Sequence, residues 1–201
     1  MTTRRLALIS MAALLLAGCD KPGGAGGSGA SFRAVDITGA EYARQLSMLD
    51  PDGKTRTLAD FKGKVTVVFF GYTQCPDVCP TTMAELAQVK KSLGADGERI
   101  QGVFVTVDPD RDTPELLKAY MGSFDPSFVA LRGTPEQTAA MAKEFKVFYA
   151  KVPGKTEGSY TVDHTAGSYV FDASGKVRLF VRYGSGAEAL AADLKTLLAA
   201  G

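Results

Sequence analysis

The chain has 201 residues, with 23 Lys and Arg, 22 Asp and Glu and a single His, for a formal net charge of +1 at neutral pH. That length suits one domain with a substantial core. The near-balanced charge leaves no basic patch of the size that nucleic-acid binding requires.

In chain order, Arg4 and Arg5 precede an apolar stretch from Leu6 to Ala17, too short to span a bilayer as a mature helix and built like a secretory signal. It ends in Leu16-Ala17-Gly18-Cys19, the form of a bacterial lipoprotein signal, in which Cys19 is lipidated and becomes the new N-terminus. The expected organisation is a signal peptide over 1–18, a lipid-anchored flexible linker over 19–40 and a folded domain over 41–201. Without the signal the basic count falls from 23 to 21 against 22 acidic residues, so membrane association rests on the lipid and not on surface charge. Residues 20–31 are mostly Gly, Ala and Ser, the composition of a tether. Gly24 to Gly29 matches the G-x-G-x-x-G string of dinucleotide-binding proteins, but no strand precedes it and no helix follows, so the match is compositional.

From Tyr42 onward strand and helix patterns alternate. Leu46 to Leu49, the turn Asp50-Pro51-Asp52-Gly53 and a second short strand predict an N-terminal β-hairpin. Val65 to Gly71 reads as a buried strand, and Met83, Leu86, Val89 and Leu93 then recur on one helical face. Ile100 to Val107 is the next strand. Thr113-Pro114-Glu115 opens a helix, and Thr134-Pro135-Glu136-Gln137 opens another with Thr134 as N-cap and Gln137 completing a capping box. Val147 to Val152 predicts a strand, followed by a polar loop with Pro153, Gly154 and Gly158. Ser168 to Asp172 and Val177 to Tyr183 form a hairpin, and the last helix turns Leu190, Leu194, Leu197 and Leu198 inward. The order predicts an α/β fold of thioredoxin-like type, a central mixed β-sheet flanked by helices.

The chemistry concentrates at Cys75-Pro76-Asp77-Val78-Cys79-Pro80, between the first buried strand and its helix. Pro80 suits the first helical position, with Cys79 as N-cap; Thr82 with Glu85 offers a competing capping box, and Asp77 a simple cap. Helix-terminal amides are expected to stabilise the Cys79 thiolate. Two sulfurs at this separation can close a disulfide or share a metal ion, and spacing alone does not choose. His164, the only histidine, is expected in the loop entering the strand Ser168 to Asp172, opposite the cysteines in a thioredoxin-like sheet. Thioredoxins place a proline there, and this chain has none between Tyr160 and Tyr169. Two thiolates and an imidazole suit Cu(I), can hold Cu(II) and are acceptable to zinc. Asp108 and Asp163 are candidates to orient the imidazole or tune a thiol. Asp108, Asp110 and Asp112 copy the opening of a calcium loop, but Thr113 replaces its glycine and Ala119 its bidentate glutamate.

The stretches Gly71 to Pro80, Val107 to Pro114 and Val162 to Thr165 resemble those of the SCO/SenC family of copper proteins, over about Leu46 to Leu198. The resemblance implies Cys75, Cys79 and His164 as ligands of Cu(I) or Cu(II). It also implies a metallochaperone, not primarily an enzyme, anchored at the periplasmic face of a bacterial cell membrane. The implied partner is the copper-A domain of cytochrome c oxidase subunit II or another periplasmic copper protein. A thiol-disulfide oxidoreductase cycling Cys75 and Cys79 is the alternative.

Overall fold

The computed structural model describes residues 31–201; the signal sequence, Cys19 and residues 20–30 lie outside them. The strands are β1 (Val35–Asp36), β2 (Ser47–Leu49), β3 (Thr55–Thr57), β4 (Val65–Gly71), β5 (Ile100–Thr106), β6 (Val129–Leu131), β7 (Tyr149–Pro153), β8 (Tyr160–His164), β9 (Gly167–Phe171) and β10 (Val177–Arg182). The helices are α1 (Val78–Ser92), α2 (Pro114–Gly122), α3 (Pro135–Glu144) and α4 (Ala187–Ala199).

β4 and β5 are buried at every residue, as strands covered on both faces must be, and pair in parallel from Val65↔Ile100 to Gly71↔Thr106. The six-stranded mixed sheet runs β1-β10-β9-β4-β5-β6. Alternation along β4 divides the core. Phe69 lines a cleft with Met83 and Leu86 of α1 and Leu190 of α4, whereas Phe70 packs on Phe145, just beyond α3, which also meets Tyr169 and Phe171 of β9. The sheet is therefore covered on both faces, and the expected thioredoxin-like architecture is what forms. Thr113 and Thr134 cap α2 and α3 by accepting the N–H of Leu116 and Gln137, each with proline at the next position. The predicted N-terminal hairpin is β2 with β3.

Three features differ from the sequence reading. Residues 31–40, expected in the linker, belong to the folded body: Val35 pairs with Phe180 and Asp36 with Leu179, and the N–H groups of Arg33 and Ala34 both donate to the buried carboxylate of Asp193, at 2.8 Å each. Second, Pro153, expected in a polar loop, belongs to β7, and the connection after it leads into another strand, β8, which pairs with β7 in a separate two-stranded sheet. Third, α1 begins at Val78 with Asp77 at the N-cap position, which makes Cys79 the second helical residue and Pro80 the third. Thr82 does not build a capping box; its hydroxyl donates to the carbonyl of Val78 at 2.7 Å. Among the described residues no helix is long and apolar enough to cross a membrane.

Candidate metal centre

The end of β4 delivers the cysteines. A Cβ on Gly71 would stand 2.7 Å from Cys79 Sγ, 2.9 Å from the Phe69 ring and 3.0 Å from the Phe104 ring, so the absence of a side chain is what lets Cys79 seat its sulfur on the strand end. Cys79 is fully buried and Cys75 partly exposed, and both thiols are free. The N–H of Cys79 donates to Cys75 Sγ at 3.4 Å, so a helix-terminal amide serves the outer sulfur.

His164 ends β8, held in register by pairing with Tyr149. The strand position replaces the expected loop, because Tyr160 to His164 finds a partner in β7. Nδ1 lies 3.2 Å from the Thr165 carbonyl, which can only accept, so the proton sits on Nδ1 and Nε2 presents its lone pair. Nε2 is 3.3 Å from Cys79 Sγ. Tyr72 and Phe69 meet the imidazole edge-on, with centroids at 6.0 and 5.8 Å. The donor atoms of Cys75, Cys79 and His164 all lie within 4.8 Å of one another. Beside them opens a cavity of about 300 Å³ whose lining includes Tyr72, Cys75, Pro76, Val78 and His164.

Burial dominates the electrostatics. It pushes the Cys79 thiol far above its ordinary range, with the neighbouring Cys75 adding to the effect. The expectation of a stabilised thiolate at Cys79 is thus corrected: the helix terminus is present, but desolvation outweighs it. Burial also lowers the His164 pKa, opposed by the Thr165 carbonyl and the charge of Asp163. Without metal the pair is a neutral thiol facing a neutral imidazole, and an incoming soft ion must displace the Cys79 proton.

The carboxylates separate. Asp163 is exposed and acts on His164 through charge, while the imidazole is oriented by Thr165. Asp108 is buried, accepts the Tyr160 hydroxyl at 2.8 Å and pairs with Arg111, so it reaches the site through the strand that carries His164. Asp110 pairs with Lys151 at the surface. Asp112, which the sequence reading left without a role, is fully buried beneath the cysteine loop: it accepts the Thr73 N–H at 3.1 Å, the Thr73 hydroxyl at 2.6 Å and the Thr106 hydroxyl at 2.5 Å. Burial raises its pKa. Arg111 and Gly71 were also missed. The dense charge of Val107 to Pro114 at a strand end was the available signal for the first, and nothing in sequence marked the second.

A thioredoxin-like sheet whose strand-to-helix turn carries two free thiols, and whose facing hairpin supplies an imidazole in place of proline, defines a soft-metal-binding class of that fold. The family model described as SCO1/SenC matches residues 35–199, and the chain belongs to that family. Among curated relatives, the SCO2-like protein of Rickettsia felis is 38% identical over 132 residues, 65% of this chain and 64% of that protein. The human mitochondrial SCO2 homolog is 36% identical over 138 residues, 68% of this chain and 51% of that protein. The chain thus spans under two thirds of the length of these relatives. Among solved structures, copper-bound ScoI of Bradyrhizobium japonicum is 41% identical with a TM-score of 0.69, covering 76% of this chain and 97% of that one. Apo Sco1 of Thermus thermophilus is 36% identical with a TM-score of 0.74, covering 85% and 99%.

Proposed function

We propose that this protein is a membrane-tethered copper carrier. It takes copper on Cys75 Sγ, Cys79 Sγ and His164 Nε2 and passes it by ligand exchange to the copper-A centre of cytochrome c oxidase subunit II or to another periplasmic copper protein. The observation that carries this reading is the convergence of two sulfurs and one imidazole nitrogen within 4.8 Å, with Cys75 and His164 lining an open cavity and Cys79 buried behind them. Soft thiolates favour Cu(I), the imidazole extends the site to Cu(II), and a cavity on one side leaves room for an incoming ligand. The copper-bound relative from Bradyrhizobium supports the choice of metal. Lipid on Cys19, with residues 20–30 as tether, would hold the domain at the periplasmic face of the cell membrane. Asp163 would favour the charge of bound copper, and Asp108 would brace the strand that ends in His164.

The alternative, a thiol-disulfide oxidoreductase, is favoured by one observation: both thiols are free, and a helix amide donates to the more exposed one, Cys75. The two readings part at His164, which disulfide exchange does not require. Anaerobic titration of the reduced domain tests them. The carrier should bind one copper per chain, and Cu(II) should give a thiolate-to-copper charge-transfer band that His164→Ala weakens or shifts. Parent-like binding of both copper states by His164→Ala refutes the third ligand. In a host lacking the protein, full rescue of copper-A oxidase activity by His164→Ala would promote the reductase.

A further inference from the structure

His164 stands apart from the sulfurs in the architecture. Cys75 and Cys79 follow the central strand of the six-stranded sheet, whereas His164 ends a hairpin that shares no ladder with that sheet. At its root the hairpin is fastened through its own continuation, where the Tyr183 N–H donates to the Ala166 carbonyl at 3.0 Å, and by the buried Val162. At the other end of β8 the fastening is Arg111. Its Nη1 donates to the Tyr160 carbonyl at 2.9 Å and to Gln74 Oε1 at 3.2 Å, and Gln74 adjoins Cys75. Its Nε pairs with the buried Asp108, which also accepts the Tyr160 hydroxyl. The guanidinium lies 3.6 Å from the centroid of the Tyr160 ring and 5.6 Å from that of Tyr72, the ring that meets His164 edge-on. A planar fork holds such partners in fixed directions, which a lysine ammonium does not. The nearby Lys151–Asp110 pair is about half exposed and adds little.

We propose that Arg111 is a positioning residue for the third ligand: it locks the hairpin that carries His164 to the loop that carries Cys75, and so sets whether bound copper meets three donors or two. The proposal rests on the reading of Cys75, Cys79 and His164 as ligands. With the lock closed, the imidazole stays over the sulfurs and the site holds Cu(II). With it open, the Tyr160 end of β8 parts from the loop that carries Cys75, the strand no longer holds the imidazole over the sulfurs, and the dithiolate that is left still suffices for Cu(I). The Arg111 side chain is about one-fifth exposed and its partner Asp108 is fully buried, so Arg111→Lys, which keeps that carboxylate paired, is the variant that separates an effect on the hairpin from one on the sheet.

The test compares the parent with His164→Ala, Arg111→Met and Arg111→Lys. Arg111→Lys keeps a charge against Asp108 and carries the test if Arg111→Met does not fold. Three quantities are read: affinity for Cu(I) and Cu(II), the charge-transfer band, and amide hydrogen exchange in the metal-free protein. Both Arg111 variants should lose about 10- to 100-fold in Cu(II) affinity, the range for removing a group that orients a ligand. They should also weaken the band, keep the parent's Cu(I) affinity, and speed exchange at residues 160–164 while β4 and β5 stay protected. Equal losses for both copper states with faster exchange throughout the sheet would mean a general structural role and overturn the proposal. Parent-like Cu(II) binding in the Arg111 variants overturns it too. Failure of the ligand reading has its own signature, His164→Ala matching the parent in both copper states; the claim on copper then falls with it, and exchange at 160–164 still reports whether Arg111 fastens the hairpin.

Discussion

Substituting Gly71→Ala isolates the contact between the central strand and the Cys79 sulfur. Gly71 is outside the glycines with positive φ, so alanine meets no backbone strain there, and stiffening the unfolded chain would by itself stabilise by about 0.4–1 kcal/mol. Against that stands the new methyl group, 2.7 Å from Cys79 Sγ where ordinary contact begins at 3.4 Å. The sulfur must therefore retreat by about 0.7 Å, and the methyl cannot shift aside instead, because the Phe69 and Phe104 rings stand 2.9 and 3.0 Å from that carbon. Overpacking of this kind costs about 1–3 kcal/mol, which exceeds the entropic gain at most values in the range. The variant should melt lower by about 2–4 °C per kcal/mol of net loss, the scaling for a domain of this size. The displaced sulfur should also weaken Cu(I) in a competition titration. Gly122→Ala is the control, because nothing lies within 4 Å of its Cβ position; it should melt at or above the parent and bind copper unchanged. A Gly71→Ala protein that melts no lower than the parent and holds Cu(I) as tightly would refute the claim that the close approach positions Cys79.

Replacing Asp112→Ala removes the acceptor for the Thr73 N–H and for two hydroxyls, so a loss of about 1–3 kcal/mol is expected in denaturant unfolding, with faster alkylation of Cys75. Because the folded pKa of Asp112 is raised, its favourable contribution is fullest at acid pH and fades as pH rises; the gap between parent and variant should be wider at acid pH than at neutral. For His164 the sign is opposite in sense of pH. Its folded pKa is depressed below 6.5, so as pH falls through 6.5 the unfolded chain takes up the proton first and stability drops, a slope that His164→Gln should flatten. Asp193→Ala should release the amides of Arg33 and Ala34 and speed proteolysis around residues 31–36, while copper binding stays at the parent's level.

What was legible in the sequence follows from how each element is stabilised. β4 and β5 are continuous apolar runs because both their faces are buried, and α2 and α3 announce themselves through a capping threonine and a following proline. The cysteine pair and the lone histidine were visible as chemistry. β8 was not, because a half-exposed hairpin strand carries polar residues on its open face, here Thr161 and Asp163, and becomes a strand only by meeting β7. β1 is two exposed residues at a sheet edge, held by a carboxylate about 160 positions away, a contact no local pattern contains. The helix start at Cys79 suggested a thiolate, but the complete burial of its side chain is a tertiary fact, and it reverses the sign of the pKa shift. Arg111 belongs to the same category, since its Tyr160 partner is 49 residues on.

The register of β1 determines where the chain joins the domain. With Val35 opposite Phe180 and Asp36 opposite Leu179, the backbone upstream of Val35 heads toward Arg182, the end of β10 paired with Gly167, three residues beyond His164. The chain thus enters the fold at the end of the sheet that leads to Cys75, Cys79 and His164 rather than at the opposite one. The difference is the length of the central strand, about 23 Å for seven residues at about 3.3 Å each. On the proposed reading of Cys75, Cys79 and His164 as ligands, the chain therefore enters the fold at the same end of the sheet as the copper site.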